Sequence, residues 1–189
     1  MNVTGIDPSL GGTAVCSGGA PDKFSMQRIA TKNGGDTAGA RISRYEEIVG
    51  RLKLHLDATP PRIVLIEGYS MGSQQGREYA GELGGLIRWH LLEYTPHIFE
   101  VAPGTLKKFI TGSGAAKKEQ IIAHVLQRWG RMFKTNDEAD AFGLWQMALA
   151  CAGVCPATND RQREAVATVL GTRRPEIEAL AASNGQPAF

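Results

Sequence analysis

The chain reads as an α/β domain, a mixed central β-sheet flanked by helices. Three observations predict this. Short strands and glycine turns open the sequence. Arg62-Ile-Val-Leu-Ile-Glu67 is a nearly unbroken, β-branched apolar run, as in a strand buried on both faces. Amphipathic helical spacing precedes that run, and further helices and a short strand follow it. With 189 residues, 42% hydrophobic and 21% charged, the chain is long enough for one domain with a real core and too short for two large ones.

Asn2 to Asp7 reads as a first strand, followed by the turn Pro8-Ser-Leu-Gly-Gly12. Thr13 to Ser17 looks like the return strand of a hairpin, Lys23 to Ile29 a third strand, and residues 31–39 a loop. From Arg41 to Leu56 the spacing puts Ile42, Tyr45, Ile48, Val49, Leu52 and Leu56 on one helical face, and Pro60-Pro61 stops the helix. The buried strand ends at Glu67, and residues 68–76 form a polar loop.

Glu78 to Leu92 is the next helix, in which Gly81, Gly84 and Gly85 lower propensity and permit close packing. His97 to Val101 is a short strand, Thr105 to Thr111 a short helix, and Lys117 to Gly130 another helix after the turn Gly112-Ser-Gly114. Asn136 is the candidate N-cap of a long apolar helix running to about Val154. After Pro156 the composition shifts. Asn159 to Leu170 and Pro175 to Ala182 fit short helices, so residues 2–155 are expected to form the main domain and 156–189 a helical extension.

Composition narrows the function classes. No apolar run has the roughly 18 residues of a membrane span, and the N-terminus lacks the basic and apolar regions of a signal peptide. The expectation is a cytoplasmic protein. Cys16, Cys151 and Cys155 make no disulfide framework, and the i, i+4 pair Cys151/Cys155 reads as two small buried hydrophobes. Net charge is only +2. Yet residues 107–134 carry Lys107, Lys108, Lys117, Lys118, Arg128, Arg131 and Lys134 against Glu119 alone, which is either a nucleic-acid face or a solvated helix face.

Carboxylates stand where apolar elements stop. Asp7 ends the first strand and Glu67 the buried one. Asp137 and Asp140 share a face of the first turn of the last core helix. Taken singly, each has a plain explanation in turn chemistry, solvent exposure or the helix dipole. Brought to one end of a sheet, four carboxylates would repel one another unless protons or cations neutralised them. Oxygen-only donors select hard ions such as Mg²⁺ or Mn²⁺, and two such ions about 4 Å apart are the usual machinery of phosphodiester hydrolysis.

Gly5-Ile-Asp7-Pro-Ser, Ile66-Glu67 and Asn136-Asp137-Glu-Ala-Asp140-Ala stand in this order in the chain. With them comes the stretch from Ala102-Pro103 through Leu106-Lys107-Lys108 and Thr111-Gly112-Ser-Gly114 to Lys118-Glu-Gln120. Together these resemble the RuvC family of Holliday-junction resolvases over about residues 2–155.

The resemblance implies an RNase H-like fold. It implies a homodimer that cuts two opposed strands of a four-way DNA junction and leaves 5′-phosphate ends. It implies two Mg²⁺ ions per site, with Mn²⁺ as a substitute, held by Asp7, Glu67, Asp137 and Asp140. Lys118 and Lys107 match basic residues that contact DNA beside the site, with Lys108 and Lys117 next to them. The family carries an aromatic residue in the loop after the glutamate that stacks at the junction. Tyr69 is the nearest candidate, one position short of the usual place.

The glycines of residues 72–85 suggest that the helix 78–92 lies in the dimer interface. The divergent core and added C-terminal segment look closest to a phage- or prophage-type relative. Three other readings remain. Actin-like and heat-shock ATPases open with a similar Gly-Ile-Asp and a phosphate turn, but this chain is short for two lobes and lacks a second such turn, so no nucleotide cofactor is expected. The others are a catalytically silent DNA-structure binder and a less selective branched-DNA or RNA nuclease of the same fold.

Overall fold

The computed structural model describes residues 1–32, 35, 37–68 and 77–183. Among the described residues five strands form one sheet: β1 (Val3–Asp7), β2 (Thr13–Ala20), β3 (Lys23–Ile29), β4 (Ile63–Glu67) and β5 (Ile98–Val101). Their order is β3-β2-β1-β4-β5; β1 to β3 are antiparallel neighbours, while β4 runs parallel to both β1 and β5. Among the described residues seven α-helices accompany the sheet: α1 (Ala38–Ala58), α2 (Arg77–Leu91), α3 (Pro103–Thr111), α4 (Lys118–Trp129), α5 (Asn136–Cys151), α6 (Asp160–Leu170) and α7 (Arg174–Ala182).

The strand period of two sorts the core into layers. Ile6, Val15, Val64 and Ile66 face α1 and α2, where Tyr45, Ile48, Leu52, Leu83 and Ile87 bury them. Val3, Ile63 and Leu65 face the other way, onto α5. By the same alternation Asp7 follows Val3 and Gly5, and Glu67 follows Ile63 and Leu65, so both acids end their strands on the α5 side. β1 and β4 are in register, with Ile6 opposite Ile66, which makes the two acids neighbours.

Helix α5 is apolar nearly all round because the sheet covers one side and α3, α4 and α6 the other. Its N-cap is Thr135 rather than Asn136. The Thr135 hydroxyl accepts from the Glu138 amide and the Glu138 carboxylate accepts from the Thr135 amide, a capping box that spends Glu138 on the helix end. The helix closes at Cys151, short of Val154, with Ala152 as C-cap.

Two other expectations are corrected. Ile42 is 46% exposed rather than part of the buried α1 face. A side-chain carbon on Gly81 or Gly85 would meet open space within the chain, so neither is there for packing inside this subunit.

The 160–182 segment shares the core. Ala165, Val166, Leu170 and Ile177 are buried in the α5-side cluster. α6 packs chiefly on α3, and Arg173 donates to the Ile98 carbonyl of edge strand β5 while stacking on Phe99. Among the described residues no helix is long and apolar enough to cross a membrane.

Candidate active site

The four acids come together where β1 and β4 end and α5 begins. Asp7 is only 7% exposed. Its carboxyl is held well above the usual range, first by burial, then by the charge of Glu67 and a hydrogen bond to it, then by Asp140 and Asp137. Burial also raises Glu67, opposed by the hydrogen bond from Asp7 and by the positive charges of Lys118 and Lys107. Asp140 is pushed up to about 7 by burial and by Glu67, against Lys118 and Lys107.

One glycine sets the depth of this cluster. A Cβ on Gly5 would overlap the α5 backbone at Ala141, Leu144 and Trp145. Only a residue without a side chain lets α5 lie against β1 this closely, and that approach carries Asp140, one turn earlier in α5, up to Asp7.

Lys107 and Lys118 reach the same place from different elements. Lys107 lies on α3, which ends in Gly112 at φ 89°, a left-handed cap suited to glycine. The turn then folds Gly114 back onto the Gly104 carbonyl, and Lys118 opens α4 close enough to act on Glu67 and Asp140.

The other cations of the basic segment divide. Lys117 is exposed next to Lys118. The Lys108 ammonium lies 2.5 Å from Glu164 of α6, away from the acids. Arg128 donates to the Phe109 carbonyl, and Arg131 stacks on Phe24. Tyr69 lies outside the described residues.

Arg28 has no counterpart in the sequence-based expectations. Its Nε lies 3.1 Å from Asp137 Oδ2 across 109 positions of sequence. No local pattern announces such a pair.

The donor set is all oxygen, partly buried and mutually repelling, which fits a hard divalent cation. Burial and the neighbouring charges raise the Asp7 carboxyl, which hydrogen-bonds Glu67. The carboxylates are gathered but do not form a closed cage: among the described residues no group of three or more His, Cys, Asp or Glu side chains converges as metal ligands do.

Comparison with known proteins finds relatives by sequence and by fold. No family model matches the chain. It is 30% identical over 150 residues to the crossover junction endodeoxyribonuclease RuvC of Rickettsia bellii, covering 76% of this chain and 94% of that one. It is 30% identical over 112 residues to the enzyme of the same name from Chlorobium chlorochromatii, covering 55% of this chain and 58% of that one. Thermus thermophilus RuvC superposes with a TM-score of 0.64 at 21% identity, over 82% of this chain and 98% of that one, and shares its fold.

Proposed function

Because the chain belongs to the RuvC family of crossover junction endodeoxyribonucleases, we propose that it is a divalent-metal-dependent endonuclease that resolves four-way DNA junctions. The observation that carries this reading is the cluster of Asp7, Glu67, Asp137 and Asp140, buried at Asp7 and half-buried at the other three, faced by Lys107 and Lys118.

In this reading the four carboxylates hold Mg²⁺ or Mn²⁺, two ions per site. The bound ions supply Lewis-acid polarisation of the phosphate and a water activated near neutral pH. The chain's own residues do the rest. Burial of Asp7 keeps water from competing around its carboxylate. Lys118 and Lys107 favour the ionised, ligand-competent forms of Glu67 and Asp140, and offer positive charge to the DNA backbone. Lys117 extends that charge outward. Lys108 joins the DNA face only by leaving Glu164. Tyr69 is the proposed stacking residue of the following loop.

A homodimer brings two such sites onto opposed strands. Its proposed interface is the α1–α2 face, where Ile42, Tyr79, Trp89 and Leu92 are exposed and where Ile42, Tyr45, Val49 and Leu86 line a groove of about 360 Å³.

Matched four-way junction, flap, duplex and RNA–DNA hybrid substrates, incubated with Mg²⁺ and with EDTA, test the proposal. Paired nicks confined to the four-way junction and abolished by EDTA are expected. Equal cutting of flaps, or cutting of the hybrid, would replace junction resolution with a less selective nuclease.

A further inference from the structure

We infer that Arg28 is a built-in competitor for the divalent cation at Asp137, a positioning residue that sets how much metal the site needs. The inference rests on the metal-dependent reading above and concerns a residue of β3 that lies outside the acidic cluster.

Arg28 is held at two points. Its Nε reaches Asp137 Oδ2 at 3.1 Å, and its Nη2 donates to the Gly11 carbonyl at 3.0 Å. The side chain passes directly over Gly12, where a Cβ would overlap the guanidinium. The β1–β2 turn is thus shaped to let an arginine through to the acids. Both partners are half-buried, with side-chain exposures of 30% and 27%.

The four carboxylates are therefore not equivalent before metal arrives. Asp7 and Glu67 hydrogen-bond each other, whereas Asp137 already has a cation against it, with Arg28 Nε 3.1 Å from Oδ2. A metal ion taking Oδ2 must displace Nε. An ion taking the other oxygen must sit beside a guanidinium, which carries its charge at all working pH values. Either route weakens binding at that acid, and in a partly buried site the repulsion is not screened away. In return the pair holds Asp137 in place near three other acids when no ion is bound.

The test is Mn²⁺ binding to the full-length protein without DNA, followed by the loss of the free-ion paramagnetic resonance signal. Arg28→Gln should bind Mn²⁺ about tenfold more tightly than the parent, since one nearby positive charge is removed. Arg28→Lys keeps the charge and should stay near the parent. Gly12→Ala leaves Arg28 in the chain but pushes it off Asp137, and should also bind more tightly. It decides the matter if Arg28→Gln does not fold by circular dichroism. Binding to Arg28→Gln and Gly12→Ala no tighter than to the parent overturns the role of Arg28 and leaves the metal reading standing. Failure of parent and variants alike to bind Mn²⁺ overturns both.

Discussion

Gly5 and Ala141 meet backbone to backbone: no side-chain carbon fits between the Gly5 Cα and the Ala141 carbonyl. This contact fixes the distance between β1 and α5, and with it the distance between Asp7 and the acids of α5. Gly5→Ala forces the helix off the strand. Overpacking of this kind costs about 1–3 kcal/mol when side chains can adjust, and here the obstacle is backbone. A loss at or above the top of that range is expected in urea unfolding. Junction cleavage should fall further than the fraction unfolded explains, because the acids separate. Wild-type stability with full cleavage would show that the close approach is not needed.

Asp7→Asn separates charge from shape. The amide can still hydrogen-bond Glu67, but the most buried of the four acids no longer ionises. Cleavage should be abolished, and junction binding should hold or tighten, since a negative charge beside phosphate is gone. Metal-free protein should melt at a higher temperature above neutral pH. Gel-shift and cleavage assays in Mg²⁺, with a thermal melt in EDTA, read all three. Cleavage at the parent rate would remove Asp7 from the chemistry.

The raised carboxyls fix the direction of the pH response. Asp140 has a folded-state value of about 7, above its ordinary value of 3.8, and Asp7 and Glu67 are displaced the same way. Below about pH 4 both the folded and unfolded chains hold these protons, and the shift costs nothing. As pH rises from there to about 7 the unfolded chain gives up the Asp140 proton first, so metal-free stability falls across that window, and Asp7 and Glu67 act in the same direction. Metal needs the ionised forms, so ion binding strengthens over the same window and releases protons. Melting curves in EDTA and in Mg²⁺ from pH 5 to pH 8.5 should therefore diverge as pH rises. Parallel curves would show that the acids do not take the ion.

Periodicity made most of the fold legible. The apolar run of β4 and the amphipathic spacing of α1 announced the layers, and strand parity alone puts Asp7 and Glu67 on one face. The acids stood out because each closes an apolar element. The cap of α5 was also written in the sequence: Thr135 and Glu138 have capping-box spacing, a stronger signal than Asn136. Other features had no local trace. Arg28 finds Asp137 only through the pairing of β3 with β2, and Lys108 meets Glu164 only because α6 docks on α3. The exposure of Ile42 is equally a tertiary fact, since helical spacing marks an apolar face but not what covers it.

Lys118 is the cation best placed to test how the basic face serves the acids. It opens α4, is exposed, and is the largest positive influence on both Glu67 and Asp140 apart from the hydrogen bond from Asp7 to Glu67. Lys118→Ala removes no buried contact, so unfolding should change by less than about 0.5 kcal/mol. Single-turnover cleavage at saturating Mg²⁺ should drop about tenfold or more, the scale of losing one charge beside a reacting phosphate. Because the acids lose a favourable charge, the pH at half-maximal rate should also move upward. Lys108→Ala, whose charge is already met by Glu164, should leave that midpoint unchanged. Equal effects of the two substitutions would mean that the basic segment acts only through its total charge.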